Sequence, residues 1–161
     1  MNEINPEKFT EKSIEAINQA RELALQRKNT EILQVHLLSS LISQESGIVG
    51  SLLNRFGADK RTALELGVSR ALDSLPRVEG STSASPYVST GLTETLKRAD
   101  AIAKQMRDEY ISTEHLFIAI VEAPEPAQIA SLFRSLQITR SGVEEIVSQM
   151  RGATKVTSKT P

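Results

Sequence analysis

His36 and His115 are the only imidazoles in this 161-residue chain, and each sits in the same local pattern, Ile-x-x-x-His-Leu, at Ile32 to Leu37 and at Ile111 to Leu116. Two imidazoles suggest general bases or metal ligands, but a metal centre needs further donors converging from elsewhere in the chain. Each histidine precedes an apolar run, so the stronger expectation is that each anchors its own half of the molecule by hydrogen bonding at a helix start. Two acidic pairs, Asp108-Glu109 and Glu144-Glu145, suggest acid/base dyads. Adjacent residues on a helix do not face each other, and a carboxylate pair in a loop is usually just solvated. With no cysteine, the chain lacks thiolate nucleophiles, disulfides and sulfur-ligated metal sites. Met106 and Met150 fall near helix ends, where methionine serves as a core filler. The phosphate loop, the Gly-x-Ser-x-Gly elbow, the Gly-x-Gly-x-x-Gly dinucleotide loop and the His-Glu-x-x-His zinc helix are all missing from the sequence. No catalytic residue, cofactor or metal is therefore expected in this chain.

The charge balance narrows the partners. Nineteen basic against twenty acidic residues give a net charge of −1, with the signs interspersed, so no electrostatic footprint for nucleic acid or an anionic membrane exists. Four Phe, two Tyr and no Trp leave no interleaved rings for stacking bases. No run of eighteen apolar residues and no signal-peptide pattern occurs, which reads as a soluble protein of the cytoplasm or an organellar matrix.

These residues are positioned by a unit written twice. Ile17 to Ile42 overlays Leu96 to Val121 without a gap, and Ala20, Ala24, Gln26, Ile32, His36 and Leu37 recur as Ala99, Ala103, Gln105, Ile111, His115 and Leu116. Each lobe reads as four helices, giving an all-α protein of about eight. Thr10 is the expected N-cap of the first helix, with Phe9 and Ile14 as a hydrophobic staple, and Ser89 holds the matching place in the second lobe. The block Leu116 to Val121 has no period of its own. Its partner, Leu37 to Ile42, is interrupted by Ser39 and Ser40 at helical spacing, so both copies are read as short buried helices with the serines outward. Asp59 is the expected cap of the fourth helix, and Ser141 with Glu144 of the last, with Gly152 ending it. Lobe 1 is placed at about 5–75, an exposed connector at 76–88 and lobe 2 at about 89–152, with 153–161 as the start of a polar linker to an absent module.

The duplicated unit, the two Ile-x-x-x-His-Leu copies, the connector Leu75-Pro76-Arg77-Val78-Glu79-Gly80 and the exit Met150-Arg151-Gly152 with Lys155-Val156-Thr157 resemble Clp N-terminal domains, and within that group those of ClpB disaggregases. The resemblance covers essentially the whole chain. It implies a non-catalytic domain tethered to a hexameric AAA+ ATPase that uses ATP and magnesium elsewhere in the parent chain and works with the DnaK chaperone system. The domain itself, a monomer when isolated, would hold exposed apolar stretches of unfolded or aggregated client proteins and pass them to the pore. The polar positions that the family ties to client handling match Thr10, Asp108 and Glu114. Phe9, Leu92, Leu96 and Tyr110 adjoin them and are the candidate apolar contacts, with a core role the stronger reading for each leucine. Thr10 and Glu114 also have purely structural explanations, one as a cap and the other as a carboxylate in the first turn of a helix.

Two alternatives remain open. A ClpC- or ClpA-type domain binds adaptor proteins for a protease, in some cases also phosphoarginine-tagged clients through a symmetric Thr-Glu-His pair. Here the second lobe has Thr113-Glu114-His115, but the first has Gln34-Val35-His36, and valine accepts no hydrogen bond from a guanidinium. A free-standing enzyme with a site between the lobes is the other, and the missing motifs argue against it.

Overall fold

The computed structural model describes residues 5–78, 85–152 and 154–160. Eight α-helices occur among them: α1 (Glu11–Gln26), α2 (Gln34–Ser43), α3 (Ile48–Phe56), α4 (Ala58–Asp73), α5 (Thr90–Gln105), α6 (Thr113–Glu122), α7 (Ala127–Ser135) and α8 (Arg140–Arg151). The chain is all-α as expected, with one small addition: β1 (Glu31–Ile32) pairs in parallel with β2 (Tyr87–Val88). Residues 79–84, the centre of the expected connector, lie outside the described residues.

Helix starts follow local chemistry. Thr10 Oγ1 accepts from the Ser13 amide at 3.2 Å and Ser89 Oγ from the Leu92 amide at 3.0 Å, so the two first helices carry equivalent caps. Two expected caps are displaced. Gly57, at φ 130°, both ends α3 and precedes α4, so α4 begins at Ala58 and Asp59 falls inside its first turn. For α8 the cap is Thr139, which accepts from Gly142 at 3.1 Å, and Glu144 instead pairs with Arg140 at 2.9 Å. At α4 the positive-φ glycine alone breaks the chain between two helices, and at α8 the Thr139 hydroxyl, two residues before Ser141, supplies the capping oxygen.

The helix reading of both apolar blocks holds. Leu37, Leu38 and Leu41 of α2 and Leu116 to Ile120 of α6 are fully buried, as expected for helices that are apolar on nearly every side. Ser40 is not outward. It is buried against α1, where its hydroxyl donates to the Ala16 carbonyl at 2.8 Å. The small residues Ala16, Ala20 and Ala24 make that close approach of α1 and α2 possible.

The lobes exchange strands. Ile32 of the first lobe pairs with Val88, which leads into α5, while Ile111 of the second pairs with Phe9, which leads into α1. The Ser89 amide donates to the Ile32 carbonyl and the Thr10 amide to that of Ile111, both at 3.0 Å. Gln34 adds a third connection. Its amide nitrogen donates to Thr95 Oγ1 (2.9 Å) and the Ala123 carbonyl (3.0 Å), and its oxygen accepts from the Glu125 amide (2.8 Å). Replacing Gln34 with Ala is expected to cost about 1–3 kcal/mol, because partners buried between the lobes lose their hydrogen bonds. Urea denaturation should show this as a lower midpoint with the transition still single, and an unchanged midpoint would remove Gln34 as an inter-lobe tie.

Candidate functional site

Each lobe contains a histidine clasp. In lobe 1 the Leu33 amide donates to His36 Nδ1 at 2.8 Å, and His36 Nε2 meets Asn29 Oδ1 at 2.8 Å. In lobe 2 the Ser112 amide donates to His115 Nδ1 at 2.8 Å, and Nε2 meets Asp108 Oδ2 at 2.7 Å. A backbone amide can only donate, so it fixes Nδ1 as acceptor and leaves the proton on Nε2. Asn29 and Asp108 lie one residue beyond Lys28 and Arg107, both with left-handed backbone (φ 60° and 62°), at the corner where the first helix of each lobe turns toward the second. The histidines thus anchor helix starts, as the sequence led us to expect. Burial, and secondarily the charge of Arg27, pushes the pKa of His36 down to about 4. Burial also holds His115 below the ordinary imidazole value, although Glu114 and Asp108 pull the other way.

The clasps differ in one atom type, and the difference creates a charged cluster. Asn29 is neutral and donates its amide to the Pro76 carbonyl at 3.1 Å. Asp108 is a carboxylate, so it gathers cations and donors: Arg151 Nη1 and Nη2 at 3.2 and 2.9 Å, and the Val156 amide at 2.9 Å. Arg151 turns its other edge to Glu114, with Nε and Nη2 donating to Oε2 at 3.0 and 2.8 Å. Burial by itself would raise the pKa of Asp108. The Val156 amide, Arg151 and His115 outweigh it and hold the carboxyl below the usual range.

Around this cluster lies a groove of about 280 Å³ between the lobes. Thr10 and Lys12 of lobe 1, Gly47 and Ile48 at the start of α3, and Ser112 to Glu114 of lobe 2 line it, with Arg151 and Thr154 to Val156 on the remaining side. Thr10 and Glu114 therefore share one site, and Asp108 stands behind it, holding Arg151. The apolar candidates are elsewhere. Phe9 and Leu96 line a second hollow of about 100 Å³ with Lys8, Asp100 and Ile111. Neighbours along an extended segment face opposite ways, so the Phe9–Ile111 bridge separates Phe9 from Thr10 and Ile111 from Ser112. Leu92 is a core residue, and Tyr110 is half-buried and lines neither depression. Sequence reasoning missed Arg151, Ile48 and Val156. Arg151 belongs to the exit motif, but nothing local shows that it will reach residues about forty positions earlier. Among the described residues, no group of three or more His, Asp or Glu side chains is arranged to hold a metal ion.

The model of the Clp repeat (R) N-terminal domain family matches residues 8–136. The chain belongs to that family. Chaperone protein ClpB of Nitratidesulfovibrio vulgaris is 35% identical over 96% of this chain, and that of Propionibacterium freudenreichii 33% over 96%. In both cases the match spans 18% of the relative's length. Among solved structures, the Hsp104 N-terminal domain from Candida albicans superposes with a TM-score of 0.79 at 24% identity, covering 94% of this chain and 97% of that one. A ClpV N-domain in complex with a VipB peptide gives a TM-score of 0.64 at 18% identity, covering 92% and 89%. These likenesses establish a Clp N-domain fold. Among the described residues, no single helix is long and apolar enough to cross a membrane.

Two results are expected of this Clp N-domain. His36 binds a proton more readily unfolded (ordinary pKa 6.5) than folded (about 4), so stability is full above pH 6.5 and falls as pH drops from there toward 4. Chemical denaturation at pH 7 and pH 5 should differ by about 1–2 kcal/mol from this group, and His36→Asn should flatten that difference. Arg151→Met leaves Asp108 and Glu114 buried without their cation, and should cost about 3–5 kcal/mol at pH 7, the deficit shrinking in acid as Asp108 takes up a proton.

Proposed function

We propose that this chain is the non-catalytic client-binding domain of a ClpB-type AAA+ disaggregase. It holds exposed apolar segments of unfolded or aggregated proteins in the inter-lobe groove and delivers them to the ATPase pore. ATP and magnesium would act in the rest of a hexameric parent, which would cooperate with the DnaK system in the cytoplasm or an organellar matrix. The observation that carries this reading is the groove itself: Ile48 at the start of α3 offers aliphatic contact, while Thr10, Thr113 and Glu114 supply a polar rim. Such a mixture suits a polypeptide of any sequence, because aliphatic side chains and main-chain amides occur in every client.

The polar residues are already engaged. Thr10 Oγ1 donates to Ser13 Oγ at 3.0 Å, Ser13 Oγ donates to the Ile111 carbonyl at 2.9 Å, and Glu114 pairs with Arg151. We assign them the shaping of the groove, with the aliphatic wall as the source of affinity. A shallow wall of this kind favours affinities in the micromolar range or weaker, because little surplus remains after the costs of association.

The second reading, adaptor binding for a Clp protease, draws on the peptide complex of the ClpV N-domain, in which a Clp N-domain meets a defined partner segment. A symmetric guanidinium site is not part of it here, because Val35, fully buried, stands where Glu114 stands in the second lobe.

Ile48→Asp places a charge on the apolar wall and should weaken binding of an unfolded client, such as reduced and carboxymethylated α-lactalbumin, by at least about fivefold in fluorescence anisotropy. Leu25→Ser removes an exposed leucine about 20 Å further along α1 and should leave binding unchanged. Equal effects of the two changes would refute a localised groove, and tight selection of one folded adaptor with no affinity for the unfolded client would favour the second reading.

A further inference from the structure

Residues 154–160, within the 153–161 segment expected to begin a linker, run back over the body, with a bend at Ser158 and Lys159. Val156 is only 5% exposed. Its amide donates to Asp108 Oδ1 at 2.9 Å and its carbonyl accepts from the Glu109 amide at 2.7 Å. Three residues on, the Lys159 carbonyl accepts from the Glu11 amide at 2.9 Å, one of the unpaired donors of the first turn of α1. Lys155 Nζ donates to the Met106 carbonyl at 3.0 Å, and Lys159 pairs with Glu7. One buried aliphatic side chain, main-chain hydrogen bonds on either side of it and lysines at the margins are the terms on which an extended polypeptide is recognised.

This strap lies against the client groove and forms one of its walls through Thr154, Lys155 and Val156. With the strap in place the cavity of about 280 Å³ falls just below the range typical of sites for single small molecules, roughly 300–1,000 Å³. An extended segment advances about 3.3 Å per residue, so a client stretch of several residues outruns that space. Its continuation is the path the strap itself occupies, from the Glu109 amide to the Glu11 amide.

Resting on the client-binding reading above, we infer that residues 154–160 are an intramolecular competitor. An extended client segment replaces the strap on the Glu109 and Glu11 amides, and a residue with a small aliphatic side chain takes the place of Val156. The client and the docked strap exclude each other, so capture of a client releases the segment that follows the last helix. The strap needs little intrinsic affinity to act in this way, because a short tether holds it at an effective concentration in the millimolar range. The preferred client is correspondingly a stretch with an aliphatic residue flanked by lysine or arginine, which take the places of Lys155 on the Met106 carbonyl and of Lys159 on Glu7.

The test uses the whole 161-residue chain. Val156→Asp sets a carboxylate beside Asp108 and expels the strap while leaving the helices intact. A double change of Lys155 and Lys159 to Ala loosens it without touching Asp108, which guards against a folding defect in the first variant. Binding of reduced, carboxymethylated α-lactalbumin should tighten about three- to tenfold in the first and less in the second. In wild-type protein saturated with that client, amide exchange of Val156 should accelerate while Glu109 and Glu11 stay protected. Unchanged or weaker client binding in both variants, or a Val156 amide that stays protected at saturation, overturns the inference and leaves the client-binding reading standing. No client binding by wild type or either variant removes that reading and the inference with it.

Discussion

A neutral imidazole that accepts from one backbone amide and donates to one side-chain oxygen holds the corner of each lobe. At that corner the chain leaves a helix through a left-handed residue, makes one strand pair with the opposite lobe and enters a buried helix. All three events occur within nine residues of sequence between Lys28 and His36, and again between Arg107 and His115. An imidazole suits the task because it carries a donor and an acceptor on a rigid ring. Charging it would set an N–H against the Leu33 or Ser112 amide, a conflict that adds to the desolvation already opposing protonation.

From this shared device the two halves diverge by the substitution of a carboxylate for a carboxamide. Asn29 is satisfied by a carbonyl of the chain leaving α4. Asp108 requires a cation, and Arg151 at the end of α8 supplies it, bringing Glu114 and the segment after α8 into the same network. The groove on the lobe 2 side owes its shape to this cluster. On the other side Gln34 stands at the position of Thr113 and spans the gap between lobes, while the Glu125 side chain rests on Gly91, where lobe 1 has Lys12. A nearly symmetric scaffold thereby presents an asymmetric surface.

Much of the scaffold was legible in the sequence. The repeat, the eight helices, the equivalent caps at Thr10 and Ser89 and the anchoring histidines all follow from local spacing, and spacing survives folding. What escaped depends on contacts between distant segments. Ser40 reads as outward by its chemistry, yet α1 passes close enough to take its hydroxyl. Thr10 and Glu114 were recognised as a pair by resemblance alone. Arg151 was named only as part of a motif, because its partners are determined by where α8 packs. Phe9 was grouped with Thr10 through adjacency in sequence, and alternation along the extended segment separates the two.

The reciprocal pairing of Ile32 with Val88 and of Phe9 with Ile111 has a bearing on ancestry. Each half donates the strand that the other lacks, so one half standing alone would keep its own helices but leave a backbone edge and an apolar flank without a mate. The natural mate is an identical half related by a twofold axis. The two pairings join repeat-equivalent positions, so the halves meet as two identical subunits would, and within one chain they are not required to remain the same. Gln34 opposite Thr113 and Asn29 opposite Asp108 are changes that an obligate pair of identical subunits could not have made on one side only.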